Sequence, residues 1–267
     1  MLPRAYHPDG LEPVTKKWST TTYAASFAID SPLSFAHFSG YINYGISSTV
    51  PTLYQQVIAT YYRLPTLRPV RLLPEFKKTF EIGLKLSNET AVLVNYLVSG
   101  AYFVNTYTDK FRTLQLIGSP ECYFDNHSEA ELTGLEGKVE GRFWQKRVSL
   151  YLAYITFFNL DALAFPFKPG QKLSLGGGFH HRLLDIDLVW FDEARCEGFA
   201  VTRQGYLQRL ELPPFSNTDL HITARLPLKK RSVFMTFSGR NLTSDQRALE
   251  GIALRDKRIY VTTGVKL

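Results

Sequence analysis

The sequence predicts an all-β chain, an antiparallel transmembrane β-barrel wall of about 11 strands with short turns at one end and long loops at the other. Three observations carry this reading. Apolar and polar residues alternate with a period of two in segment after segment. The connections between segments alternate strictly between short and long. The last segment, RIYVTTGVKL, runs to the final residue with no turn after it. In it Ile259, Val261, Thr263, Val265 and Leu267 take one face, and Tyr260, Thr262, Gly264 and Lys266 take the other.

Composition bounds the class. The 267 residues are 45% hydrophobic, with 15 Tyr and 19 Phe, so ample apolar surface is available. A run of about 18 apolar residues is absent, which excludes a membrane-spanning helix but not spanning strands. The net charge of +7 is scattered in single residues and short clusters such as Lys229-Lys230-Arg231, without the basic stripe that nucleic acid requires. The start of the chain, MLPRAYHPDGLEPVTKK, lacks the basic and apolar regions of a secretory signal. A barrel reading therefore implies that residues 18–267 are the C-terminal part of a longer wall, with 1–17 an N-terminal loop segment.

In order, the strands are expected as follows. Trp18–Ile29 leads through an Asp30-Ser31-Pro32 turn into Leu33–Ile46. Residues 47–76 are expected to be irregular, broken by Pro51, Pro65, Pro69 and Pro74. Phe80, Ile82, Leu84 and Leu86 mark the next strand, and a turn at Ser87–Thr90 leads into Ala91–Val104. Residues 105–130 read as a polar connection with a small hairpin near Leu114–Ile117. Leu132–Phe143 and Val148–Phe158 flank a turn at Trp144–Arg147. After a connection holding Pro166 and Pro169, Leu173–Phe179 and Leu184–Trp190 flank a turn at His180–Arg182. The connection 191–216 precedes Leu220–Leu226, and a turn at Pro227–Lys230 leads to the final pair. Only Gln246–Leu254 suggests a turn of helix. Short turns then all fall at one end of the sheet and long connections at the other, as in outer-membrane barrels; a β-sandwich would mix them.

Several segments resemble TonB-dependent outer-membrane receptors. SGRNLTSDQ…RIYVTTGVKL resembles their closing strands, with Asn241 and Leu242 in the place of an Asn-Leu pair. LPEFKKTFEIGLKL resembles their Pro-Glu motif, matching at Pro74, Glu75, Glu81 and Gly83. GYINYGISSTVPTLYQQ matches at Pro51, Thr52 and Leu53, and LTGLEGKVEGRF at Gly134, Leu135 and Glu136. FPFKPGQKLSLGGGFHH and LPPFSNTDLHITARL resemble two later strands, so the likeness runs in order over roughly residues 18–267. The chain departs from the family in ending on Leu267 rather than Phe or Trp. The resemblance implies half of a roughly 22-stranded barrel of the type that holds a plug. It implies uptake of a scarce ligand, such as a siderophore, corrinoid or glycan, driven through TonB. The partners it implies are outer-membrane lipid, the N-terminal wall strands and plug or another chain completing the wall, and TonB through the N-terminal part. The alternatives are a structural or split-barrel subunit and a soluble all-β binding module.

No catalytic or metal-binding spacing occurs among His7, His37, His127, His180, His181 and His221, and no G-x-S-x-G is present, so neither enzyme activity nor a cofactor is expected. His180-His181 reads as a solvated turn, and Gly176-Gly177-Gly178 as a strand with close backbone packing. Glu136, Glu140, Asp185 and Asp187 are interleaved with Lys138, Arg142 and Arg225. They read as a lumen-facing charge ladder, whose functional version is a polar path for a ligand. Cys122 and Cys196, the two cysteines, fall in connections at the same end, and an oxidising compartment favours a disulfide between them; two unrelated thiols are the alternative.

Overall fold

Extended backbone points successive side chains to opposite faces, and antiparallel pairing puts directly opposed residues on the same face. The computed structural model describes residues 20–33, 36–61, 71–88, 94–119, 122–202, 204–228, 231–243, 247–249, 252–255 and 257–266; the segment 1–17 lies outside them. Eleven strands form one wall in which each pairs antiparallel with the next. They are β1 (Tyr23–Pro32), β2 (His37–Thr49), β3 (Glu75–Asn88), β4 (Val94–Leu116), β5 (Cys122–Phe143), β6 (Val148–Leu160), β7 (Gln171–His180), β8 (Leu184–Glu193), β11 (Phe215–Leu228), β12 (Arg231–Arg240) and β15 (Arg258–Lys266). The number and order of wall strands match the expectation. The wall is open, with β1 and β15 at the two ends of the strand order.

The parity of the connections also holds, but their content differs. The first turn lies at residues 33–36, where Leu33 and Ala36 exchange backbone hydrogen bonds of 2.7 and 3.4 Å, because β1 continues through the expected Asp30-Ser31-Pro32 turn. Between β2 and β3 lies a helix, α1 (Leu53–Tyr61), in place of irregular chain. Thr52 and Gln55 form a reciprocal capping box, the Gln55 amide donating to Thr52 Oγ1 at 3.3 Å and the Thr52 amide to Gln55 Oε1 at 2.9 Å. Residues 105–116 and 122–130 continue β4 and β5, which reach 23 and 22 residues. About 10 residues suffice to cross a bilayer, so roughly half of this hairpin projects beyond it. The connection after β8 folds into β9 (Cys196–Val201) and β10 (Leu207–Leu212), and β9 pairs parallel with the far end of β4 through Gln115–Ala200 and Leu116–Val201. The segment expected to turn helically holds a small hairpin, β13 (Arg247–Leu249) with β14 (Ile252–Arg255).

The buried side chains gather at the long-connection end. Leu114, Leu116, Tyr123 and Val201 form one cluster, Ala59, Leu72 and Phe124 another, and Cys196 with Leu212 a third. Phe103, Tyr107, Ala130, Leu132 and Ala164 form a fourth, on the polar face where the wall passes into these connections; the rest of the wall holds no such cluster among the described residues. One of its faces is a continuous apolar surface: Phe38, Leu86, Val98, Val139, Leu152, Leu175 and Trp190 follow one another across seven strands in direct register. Leu188, Ile186 and Leu184 continue it, opposite Leu220, Ile222 and Ala224. Leu150, Leu188 and Met235 on this face are about half exposed, at 54%, 46% and 55%, which a lipid solvent explains and water does not.

Placing Arg at Ala224 on this face is expected to lower stability by about 2–4 kcal/mol near the bilayer midplane and by ~1 kcal/mol or less near its edge. Asp187→Asn, on the opposite face, is expected to cost under about 1 kcal/mol. Denaturant titration of membrane-inserted variants by heat-modifiable gel migration measures both. Equal tolerance of the two changes would remove the assignment of faces.

Candidate ligand face

The opposite face is polar, and all seven residues of the expected charge ladder lie on it. One rung runs Tyr41, Gly83, Ala101, Glu136, Ile155, Lys172 and Glu193 in direct register. The next carries Ser39, Lys85, Ser99, Lys138, Ala153 and Ser174. Glu140 follows one step lower, and below it Asn95, Arg142, Ser149, Gly178, Asp187 and His221 align. Asp185 and Arg225 complete the set on β8 and β11.

These residues come together in two groups rather than one. Lys138 Nζ meets Glu140 Oε1 at 2.6 Å, and Lys172 Nζ meets Glu193 Oε1 at 3.1 Å. Glu136 lines a cavity of about 490 Å³ with Tyr41, Lys85, Lys138 and Lys172. Farther along the sheet, Asp185 pairs with Arg225, while His180 lies 3.7 Å from Asp185 through Nδ1 and 3.7 Å from Asp187 through Nε2. His180 is thus the last residue of β7 and part of the ladder, not a turn residue in open solvent. Close packing does occupy the glycine run: a Cβ on Gly176 would fall 1.9 Å from the Tyr151 ring, so only glycine fits beneath it. Arg142 has no carboxylate within ion-pair distance among the described residues.

Above the ladder, toward the long connections, where no candidate was legible from sequence, a second constellation stands. Phe103 packs edge-on against Phe157 at 6.0 Å, and Tyr107 against Phe165 at 5.4 Å. Lysines cover these rings: Lys77 and Lys110 lie 5.8 and 5.1 Å from the centre of Tyr107, and Lys168 lies 4.5 Å from that of Phe157. Glu75 holds Lys110 by an ion pair of 2.8 Å and accepts the Phe111 amide at 2.7 Å. Lys77 and Lys168 have no ion-pair partner among the described residues. Burial pushes the Lys168 ammonium below the usual lysine range.

The expected disulfide is not formed. Cys122 opens β5, opposite Gln115 of β4, while Cys196 opens β9 on the other edge of β4. Ala200 lies opposite Gln115, so Cys196 stands two strand spacings across and four residues along, about 16 Å from Cys122. A bridge needs less than about 7 Å. Both cysteines nonetheless sit at the long-connection end, so the loop parity stands. Burial raises the Cys122 thiol pKa.

An open antiparallel wall with one apolar face, one charged face and an aromatic mouth defines part of an outer-membrane receptor barrel. Residues 5–242 match the TonB dependent receptor-like β-barrel, and the chain belongs to that family. No curated protein matches it. Among solved structures it is similar to the siderophore receptor PirA from Acinetobacter baumannii, with a TM-score of 0.60 and 14% identity over 91% of this chain and 40% of that one. The ferric enterobactin receptor PfeA from Pseudomonas aeruginosa gives a TM-score of 0.61 and 15% identity over the same shares. FpvA from P. aeruginosa, in a structure with bound pyoverdine, gives 0.59 and 13%, over 90% of this chain and 32% of that one. The chain spans 40% or less of the length of these receptors.

The projecting β4–β5 hairpin depends on the pairing of Arg112 with Asp125, both largely buried, where Nε donates to Oδ1 at 2.7 Å. Asp125→Ala is expected to cost about 2 kcal/mol and to raise local opening roughly thirtyfold. Limited proteolysis of the hairpin tip measures that opening.

Proposed function

We propose that the chain is the C-terminal part of a TonB-dependent receptor that captures an anionic metal chelate, the chemistry of a ferric siderophore with ionised chelating groups. The observation that carries this reading is the set of lysines over aromatic rings, Lys77 and Lys110 on Tyr107 and Lys168 on Phe157. Aromatic rings stack on a flat chelating group while ammonium groups neutralise it, and partial burial strengthens the attraction. The siderophore receptors similar in fold support the ligand class. Glu136, Lys138, Glu140, Arg142, Asp185, Asp187 and Arg225 would then face the lumen and line the polar path below. The plug, the TonB-contacting segment and the remaining wall strands are the partners of this reading, in the same receptor.

Binding of a ferric tris-catecholate, an anionic chelate, compared with a neutral ferric hydroxamate on outer membranes carrying the receptor tests the proposal. The anionic chelate is expected to bind at least about tenfold more tightly, a difference of ~1.4 kcal/mol. Lys168→Gln is expected to remove most of that preference. Preference for the neutral chelate, or indifference to Lys168→Gln, would refute the ligand class.

The pH dependence has a definite sign. Lysine attracts an anion while protonated, and the lowered pKa of Lys168 means that it loses its proton at a lower pH than an ordinary lysine. Affinity for the catecholate is therefore expected to fall as pH rises toward the lysine range. Lys168→Arg, which stays charged throughout, is expected to move this decline to higher pH.

A further inference from the structure

We propose that Asn95, Arg142 and Lys146 form a seat for a small oxyanion, a carboxylate or phosphate group, at the short-turn end of the polar face. This site is separate from the aromatic mouth and does not depend on the identity of the captured ligand. Asn95 stands opposite Arg142 on the last polar-face rung of β4–β5, next to the closing pair Val94–Phe143. It is only 8% exposed, and its Nδ2 has no hydrogen-bond partner among the described residues. Buried amide donors are nearly always bonded, so an unbonded one points to a missing acceptor.

The charges around it agree. A cavity of about 70 Å³ is lined by Asn95, Tyr96, Leu97, Glu140, Arg142 and Lys146. That is room for one carboxylate or phosphate group, or for a few waters. Glu140 is the one acid lining it, and Lys138 already engages that carboxylate at 2.6 Å. Neither Arg142 nor Lys146 has an ion-pair partner among the described residues. Arg225, by contrast, is committed to Asp185. A guanidinium presents paired donors that match the two oxygens of a carboxylate or phosphate. The Asn95 amide supplies a further donor and Lys146 a second positive charge. Lys146 belongs to the β5–β6 turn, where Trp144, Gln145 and Lys146 all have left-handed φ values of 49°, 56° and 67°. The Arg147 amide closes that turn on the Trp144 carbonyl at 3.2 Å.

The test is the rate at which phenylglyoxal modifies Arg142, read by peptide mass spectrometry on the membrane-inserted chain, in acetate, inorganic phosphate or chloride of equal ionic strength. Acetate or phosphate is expected to slow modification of Arg142 at least about fivefold relative to chloride, with Arg225 unaffected as internal reference. Protection by acetate alone assigns the seat to a carboxylate, and protection by phosphate alone to a phosphate group; either outcome supports the proposal. Asn95→Ala is expected to lose most of the protection while keeping heat-modifiable gel migration. Asn95→Asp supplies a carboxylate from within and is expected to protect Arg142 in chloride alone, which keeps the test informative if the alanine variant does not fold. Equal rates in all three salts, or full protection retained in Asn95→Ala, would overturn the proposal.

Discussion

Everything in this wall depends on backbone hydrogen bonding in a medium that supplies none. Inside hydrocarbon each N–H and C=O must find a partner in the neighbouring strand, because an unsatisfied group costs several kcal/mol. Ten successive antiparallel pairings meet that demand from β1 to β15. The same pairing dictates side-chain sorting, since opposed residues share a face. One register thus places Val139, Leu152 and Leu175 together toward lipid and Lys138, Ala153 and Ser174 together on the other side. A slip of one residue would invert both faces at once, so the alternation in sequence fixes the register more firmly than any single contact does.

Beyond the bilayer the balance reverses. Water can satisfy exposed backbone groups there, and stability must come from apolar burial. The buried clusters accordingly appear where β4 and β5 outgrow the wall and β9 docks on β4, around Leu114, Tyr123 and Val201. Gly134 marks part of the transition. The register between β5 and β6 shifts there, and a Cβ at that position would lie 2.5 Å from the Thr156 carbonyl oxygen. Such bulges are frequent at barrel rims, where they re-aim the strand.

This division of environments explains what the sequence disclosed. Within the bilayer, apolar alternation is compulsory, so the strands containing Leu84, Val139, Leu152, Ile186 and Ile222 were legible, and the ladder residues share the face opposite them. Outside it no face needs to be apolar, so NTYTDKFRT read as loop although it continues β4. The Thr52–Gln55 capping box was written in the sequence, but the prolines around it drew attention to disruption instead. The aromatic mouth depends on Tyr107 and Phe165, which lie far apart in the chain and meet only through folding. The cysteine pairing failed for a related reason: loop parity fixes the end of the sheet but not the lateral spacing between strands.

The polarity of the edges constrains whatever completes the barrel. Each antiparallel step reverses strand direction, and ten steps separate β1 from β15, so these two strands run the same way. Joining them directly would require a parallel seam. A second copy inserted in the same orientation would create two such seams, one at each junction. Parallel neighbours normally need long crossover connections, and outer-membrane barrels are built from antiparallel strands. The flanking wall, in this chain or another, must therefore contribute an odd number of strands, with both of its outer strands running opposite to β1 and β15.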